Sequence, residues 1–205
     1  MELTTEQALQ QGVAAHREGN LQEAERFYRG ILQSRPKHPD ANHNLGVIAA
    51  AENQPEAAIL FFQTALEANP KIEQFWISYI DILVKQRQFE RAEELSVSLA
   101  ERFPKQLFGW KVLGALFGQS GRYTQSLNAS QRALALAPND VEAHGNMGTA
   151  LKEMGRLEEA EASFRHAIAI KPDYAEAHSN LGITLKSLSR LEEAEASYRE
   201  AIFIK

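Results

Sequence analysis

The sequence predicts an all-α solenoid of six antiparallel helix pairs, on three observations. Residues 141–171 and 175–205, aligned without gaps, agree at 20 of 31 positions. Pro36, Pro70, Pro104, Pro138 and Pro172 stand 34 residues apart. Between them apolar residues recur every three or four positions, and no run alternates with period two. A period of this length means units that cannot bury an apolar face alone and must stack on their neighbours. Two helices of about 13 residues with two short turns fill one unit.

In chain order the units span 5–38, 39–72, 73–106, 107–140, 141–174 and 175–205, as one array over 1–205. In the first, Thr4 caps a helix with Glu6 in its first turn, and Ala8, Gln11, Gly12 and Ala15 form the inner stripe. Gly19-Asn20 breaks that helix. Asn20 with Glu23 three residues on then opens a second one, which buries Ala24, Tyr28 and Ile31 and is stopped by Pro36. The second unit repeats the pattern with Leu45, Gly46, Ala49, Ala58, Phe62 and Ala65, and Pro55 takes a first helical position. Units three and four are irregular: Ile80 replaces a glycine, Ser126 an alanine, and Ser96 and Ser130 an aromatic, while Trp76, Trp110 and Phe117 add bulk. In units five and six, Asn139 or Asp140, and then Asp173, are expected as caps. Gly12, Gly46, Gly114, Gly148 and Gly182 are expected to face Ala24, Ala58, Ser126, Ala160 and Ala194, small against small. Tyr28, Phe62, Phe164 and Tyr198 then supply the apolar bulk.

Composition narrows the function. With 22 Lys+Arg against 27 Asp+Glu the net charge is −5, which offers no electrostatic footprint for nucleic acid or an anionic membrane surface. No cysteine is present, which removes disulfides, thiolate metal sites and thiol nucleophiles. No apolar run approaches a membrane span, and the polar start lacks a secretory pattern, so a cytoplasmic protein is expected. No phosphate-binding glycine loop, nucleophile elbow or metal-ligand spacing occurs, and neither catalysis nor a cofactor or metal is expected. His144 and His178 share the fourth place of the unit with Trp76 and Trp110, which assigns them to packing rather than ligation.

A bulky group at place four, Leu-Gly at seven and eight, Ala at twenty, an aromatic at twenty-four, Ala at twenty-seven and Pro at thirty-two together resemble the tetratricopeptide repeat, over essentially the whole chain. The resemblance implies a right-handed superhelix acting as a protein-interaction module, with an extended peptide or partner protein in a concave groove. The second stripe of each first helix would line that groove. Here it offers Asn44, Val47, Ile77, Asp81, Phe108, Lys111, Val112, Asn146, Lys152, Asn180 and Lys186. The runs HNLG, HGNMG and AHSNLG are similar to repeats of O-GlcNAc transferases, where asparagines at the sixth place hold the backbone of a protein substrate. Asn44, Asn146 and Asn180 match that place, whereas Gln10, Ser78 and Val112 depart from it. A clamp for C-terminal carboxylates is not expected, because Ala115 and Glu176 stand where asparagine and lysine are needed.

The array is similar to N-terminal arrays of larger bacterial proteins carrying glycosyl- or sulfo-transferase domains, and the chain is expected to be part of such a protein. The alternatives are a self-assembling scaffold and the substrate-recognition array of a glycosyltransferase. Self-association is expected through Ile202, Phe203 and Ile204, for which no following unit provides cover.

Overall fold

The computed structural model describes residues 3–204, so Lys205, the last residue of the sixth unit, lies outside the described residues with Met1 and Glu2. The described residues form twelve helices: α1 (Thr5–Arg17), α2 (Leu21–Ser34), α3 (Pro39–Ala51), α4 (Pro55–Ala68), α5 (Glu73–Lys85), α6 (Phe89–Arg102), α7 (Leu107–Gln119), α8 (Tyr123–Leu136), α9 (Val141–Glu153), α10 (Leu157–Ile170), α11 (Ala175–Ser187) and α12 (Leu191–Ile204). The fold is all-α, a solenoid of helix pairs. Two compact units divide between Leu95 and Ser96, inside α6. In unit one α1 packs on α2 and α3 on α4, with α3 and α5 laid against the pairs before them. In unit two the pairs α7·α8, α9·α10 and α11·α12 stack in the same way. Each unit has its own core, around Tyr28, Ile31, Leu45 and Ile48 in the first and around Leu151, Phe164, Leu181 and Leu185 in the second.

The turn inside every pair has one geometry. Place fifteen is left-handed in all six: Gly19, Asn53, Arg87, Gly121, Gly155 and Ser189. The next residue's N–H then reaches back to a carbonyl five positions earlier, as in Asn20 to Ala15 at 2.9 Å and Arg156 to Leu151 at 2.9 Å. This closure satisfies the orphan carbonyls at a helix end. Glycine is the residue for which it is free of strain, so Asn53, Arg87 and Ser189 each hold it at a cost of about 1 kcal/mol.

The 34-residue proline spacing also has a structural cause. Past each stopped helix the proline carbonyl needs a donor, and place four of the next first helix supplies it. Asn42 Nδ2 reaches Pro36 O at 3.0 Å, Trp76 Nε1 reaches Pro70 O at 3.0 Å and Trp110 Nε1 reaches Pro104 O at 3.1 Å. His144 Nε2 meets Pro138 O at 2.9 Å, and His178 Nε2 meets Pro172 O at 2.8 Å. A carbonyl only accepts, so both imidazoles carry their proton on Nε2. His144 and His178 are therefore latches between successive repeats within unit two, which is more than packing.

Two expectations are corrected. Where place twenty-four is aromatic, the glycine at place eight has that ring nearest rather than the small residue at place twenty, while Gly114 does meet its expected partner, the Ser126 hydroxyl donating to the Gly114 carbonyl at 2.7 Å. A Cβ on Gly12 would lie 2.6 Å from Tyr28, on Gly46 2.6 Å from Phe62, on Gly148 2.7 Å from Phe164 and on Gly182 2.7 Å from Tyr198. The bare backbone seats a flat ring, which is how a residue with no side chain contributes to the core. Asp173 does not cap α11, since Tyr174 holds that position without a side-chain hydrogen bond. Thr4 and Asp140 do cap α1 and α9, Thr4 in a reciprocal pair with Gln7 and Asp140 by accepting from Ala143 N at 2.8 Å.

Candidate functional site

The wall of unit two is built from α7, α9 and α11. Successive first helices stand side by side, so residues at equal places form rows across them. Phe108, Glu142 and Glu176 form the place-two row, and Val112, Asn146 and Asn180 the place-six row. A depression of about 390 Å³ is lined by Phe108, Lys111, Val112, Ala115, Glu142, Asn146, Tyr174 and Glu176. Three of the sequence-predicted residues on α7, together with Asn146, thus share one cavity.

Lys111 is not a free cation in that cavity. Its Nζ lies 3.0 Å from Asp140 and 2.7 Å from Glu142. Burial pulls its pKa down, but the hydrogen bonds to Glu142 and Asp140 outweigh burial and hold it above the ordinary value. Tyr174 sits over Gly145, where a Cβ would come within 3.1 Å of its hydroxyl. Its phenol is pushed up to about 12, first by burial and then by the negative charges of Glu176, Glu142 and Asp140. The hydroxyl donates a long hydrogen bond of 3.5 Å to Glu176.

Asn146 is half-buried and its side chain makes no hydrogen bond within the described residues, whereas Asn180 accepts from Lys152 Nζ at 3.5 Å. Lys152 also pairs with Glu153 at 3.0 Å, and Lys186 is exposed.

The wall of unit one carries Asn44, Val47, Ile77 and Asp81. Asn44 lies against its own neighbours, Tyr28 and His43. His43 is held down in pKa by burial, against opposing effects of Asn44 and Asp40. Its ring stacks on Phe75 at 4.9 Å and its Nε2 meets Ser78 Oγ at 3.0 Å, tying α3 to α5. Asp81 pairs with Lys85 at 2.7 Å, while Val47 and Ile77 are half-buried. His43 and Ser78, and Asp81 and Lys85, are engaged with one another, whereas the buried Tyr28 hydroxyl beside Asn44 has no hydrogen-bond partner among the described residues.

Sequence reasoning passed over Asp140, Glu142, Tyr174 and Glu176 as site residues. A signal existed, because glutamate recurs at place two in 142 and 176, but first-turn carboxylates are explained by the helix dipole. That Tyr174 reaches the cavity from the cap of α11 follows only from the three-dimensional stacking.

At the end of unit two, α12 leaves Ile202 75% and Phe203 89% exposed, with Ile204 intermediate. The equivalent of Ile202 in α10, Ile168, packs into the core beneath the following pair.

Sequence profiles described as tetratricopeptide repeat match residues 15–73 and 119–165, and 175–204, and a further TPR repeat profile matches 148–189. The chain belongs to the tetratricopeptide repeat family. No curated protein sequence matches significantly. Among solved tetratricopeptide structures, it is similar to MamA 41-end from Desulfovibrio magneticus RS-1, with 16% identity over 80% of this chain and 92% of that one and a TM-score of 0.73. YrrB, described as a TPR protein with an unusual peptide-binding site, aligns at 22% identity over 87% of this chain and 92% of its own, with a TM-score of 0.71. TTC0263, a thermophilic TPR protein of Thermus thermophilus, aligns at 27% identity over 78% of this chain and 88% of its own, with a TM-score of 0.61. No helix within the described residues is long and apolar enough to cross a membrane.

Proposed function

We propose that this tetratricopeptide chain is a protein-interaction module with no catalytic activity of its own, holding an extended peptide segment against the first-helix wall of unit two. The observation that carries this is Asn146, a half-buried amide without a hydrogen-bond partner among the described residues, lining an open cavity together with Phe108, Val112 and Ala115. An amide in such a place has donors and an acceptor to offer a peptide backbone, and a bound main chain has both to return. The peptide-binding description of YrrB supports the same class of ligand. Nucleic acid is not the ligand we assign, given the net charge of −5, and the absence of cysteine suits a reducing, cytoplasmic setting.

The test is to select binders from a displayed library of random peptides and to replace Asn146 and Asn180 by alanine. Each lost amide contact is worth about 1 kcal/mol, so each substitution should weaken the best binder about fivefold with helical circular dichroism unchanged. Unaltered affinity in the double variant would remove the wall as the site. Asn44→Ala serves as the unit-one comparison.

A second function, self-assembly through α12, is favoured by the exposure of Leu191, Ile202 and Phe203. Two α12 helices laid antiparallel about a twofold axis would set Leu191 of one copy against Ile202 of the other, and Glu195 against Arg199. One surface then satisfies both sides. The Ile202→Glu, Phe203→Glu double variant should sediment as a monomer at concentrations where the parent pairs. A parent that stays monomeric at high concentration rules this out.

A further inference from the structure

The depression in unit two is asymmetric in charge. Glu142 and Glu176 line it and Asp140 stands behind Lys111, three carboxylates against the ammonium of Lys111 within the cavity and that of Lys171, 6.0 Å from the centre of the Tyr174 ring. Lys111 is matched by Asp140 and Glu142, which leaves Glu176, among the described residues, with the long contact from Tyr174. First-turn carboxylates complement a helix dipole, which accounts for a glutamate at this place. It does not account for a cavity opening beside Glu176, walled by the rings of Phe108 and Tyr174. The phenol of Tyr174, pushed up to about 12, shows burial and a surrounding negative potential acting together.

The opposite edge of the same wall carries the other sign at Lys186, Lys152 being matched by Glu153 at 3.0 Å. Lys152 and Lys186 occupy place twelve of α9 and α11, ten residues beyond Glu142 and Glu176. At 1.5 Å per residue the two rows lie about 15 Å apart, with the asparagine row between them. An extended strand lying over Asn146 and Asn180 sends alternate side chains to opposite sides, so consecutive residues of such a ligand meet opposite rows.

We propose that unit two recognises an extended segment that is cationic toward Glu176 and anionic toward Lys186 at adjacent positions, with arginine as the preferred cation. This rests on the groove assignment above and adds the ligand's charge pattern to it. Arginine is favoured over lysine because a planar guanidinium binds a carboxylate in two places while lying on an aromatic face, and Glu176 with the Phe108 ring offers both, the Tyr174 ring already having the Lys171 ammonium over it.

The probes are three blocked hexapeptides read by isothermal titration calorimetry. The first is acetyl-Ala-Val-Arg-Glu-Val-Ala-amide. The second, acetyl-Ala-Arg-Val-Glu-Val-Ala-amide, has the same composition with the charges on one side of a strand, and the third replaces arginine by glutamate. The first should bind at least fivefold more tightly than the second and about tenfold more tightly than the third. Glu176→Gln should erase about tenfold of that affinity, while Lys186→Gln should abolish the preference for the first peptide over the second. Equal binding of all three that still weakens on Asn146→Ala overturns the charge pattern and leaves the groove standing. Absence of binding by any of the three, and by library peptides, overturns both.

Discussion

In repeat five the ring of Phe164 lies over Gly148, fully buried, and nothing else comes as near to that glycine. In repeat four the same place holds Ser130, and Gly114 instead receives two groups: the Ser130 hydroxyl and the amide of Asn146 from the next first helix. Bulk missing from α8 is restored by α7, whose Trp110, Leu113 and Phe117 pack with Ala100 and Ala129. Ser126 donates to the Gly114 carbonyl at 2.7 Å, so its hydroxyl is buried without loss. The bare backbone that seats an aromatic ring in one repeat seats the binding-wall amide in its neighbour. A departure from the repeat pattern is thus tied to the candidate site.

The largest test of this contrast is truncation of the two place-twenty-four side chains. Phe164→Ala should cost about 3–5 kcal/mol in denaturant unfolding, as for other buried aromatics. Ser130→Ala should cost under about 1 kcal/mol or stabilise, because its buried hydroxyl has no partner. Equal losses would mean that Ser130 is as much a part of its core as Phe164 is of its own.

A smaller effect separates the two glycines. Gly148→Ala drives a methyl to 2.7 Å from a fully buried ring that cannot retreat, and should cost about 1–3 kcal/mol. Gly114→Ala meets a hydroxyl at 2.9 Å, which can rotate, and the Asn146 amide at 3.4 Å. Its stability loss should be the smaller of the two, while peptide affinity falls because Asn146 is displaced. A Gly114→Ala protein that binds peptide normally would break the link between the irregular repeat and the site.

The residues ahead of α9 and α11 differ too. Asp140 caps its helix through its carboxylate, and Tyr174 does not cap at all but leans over the cavity. With a folded phenol near 12 against the ordinary 10.0, the folded chain keeps a proton that the unfolded chain releases. Stability from this group is unchanged below about 10 and falls as pH rises from about 10 toward about 12. Glu176→Gln removes one of the charges that raise it and should bring one phenolate transition in the ultraviolet absorbance to lower pH. An unmoved titration would separate Tyr174 from Glu176.

The fold was legible because prolines, small residues and aromatics recur at fixed places, and each has a local physical job. Legibility stopped where a job depends on a neighbour in another repeat. The place-four donors read as bulk because Trp76 and Trp110 are bulky, and only the structure shows that what they share with Asn42, His144 and His178 is an N–H aimed at a proline carbonyl. The glycines read as partners of alanine, since sequence spacing does not say which residue of the second helix lies opposite. Phe108, Lys111 and Val112 were placed on the wall by periodicity, whereas Tyr174 reaches it from a cap, where periodicity has nothing to say.

The most direct measurement is nuclear magnetic resonance of the side-chain amides of Asn146 and Asn180 as the first hexapeptide is added. Both signals should shift in saturable fashion with a common dissociation constant, while backbone amides on the outward face of α10, such as Glu158, stay in place. Saturable shifts confined to α10 or α12, with both asparagine amides unmoved, would contradict the assignment of the unit-two wall as the binding site.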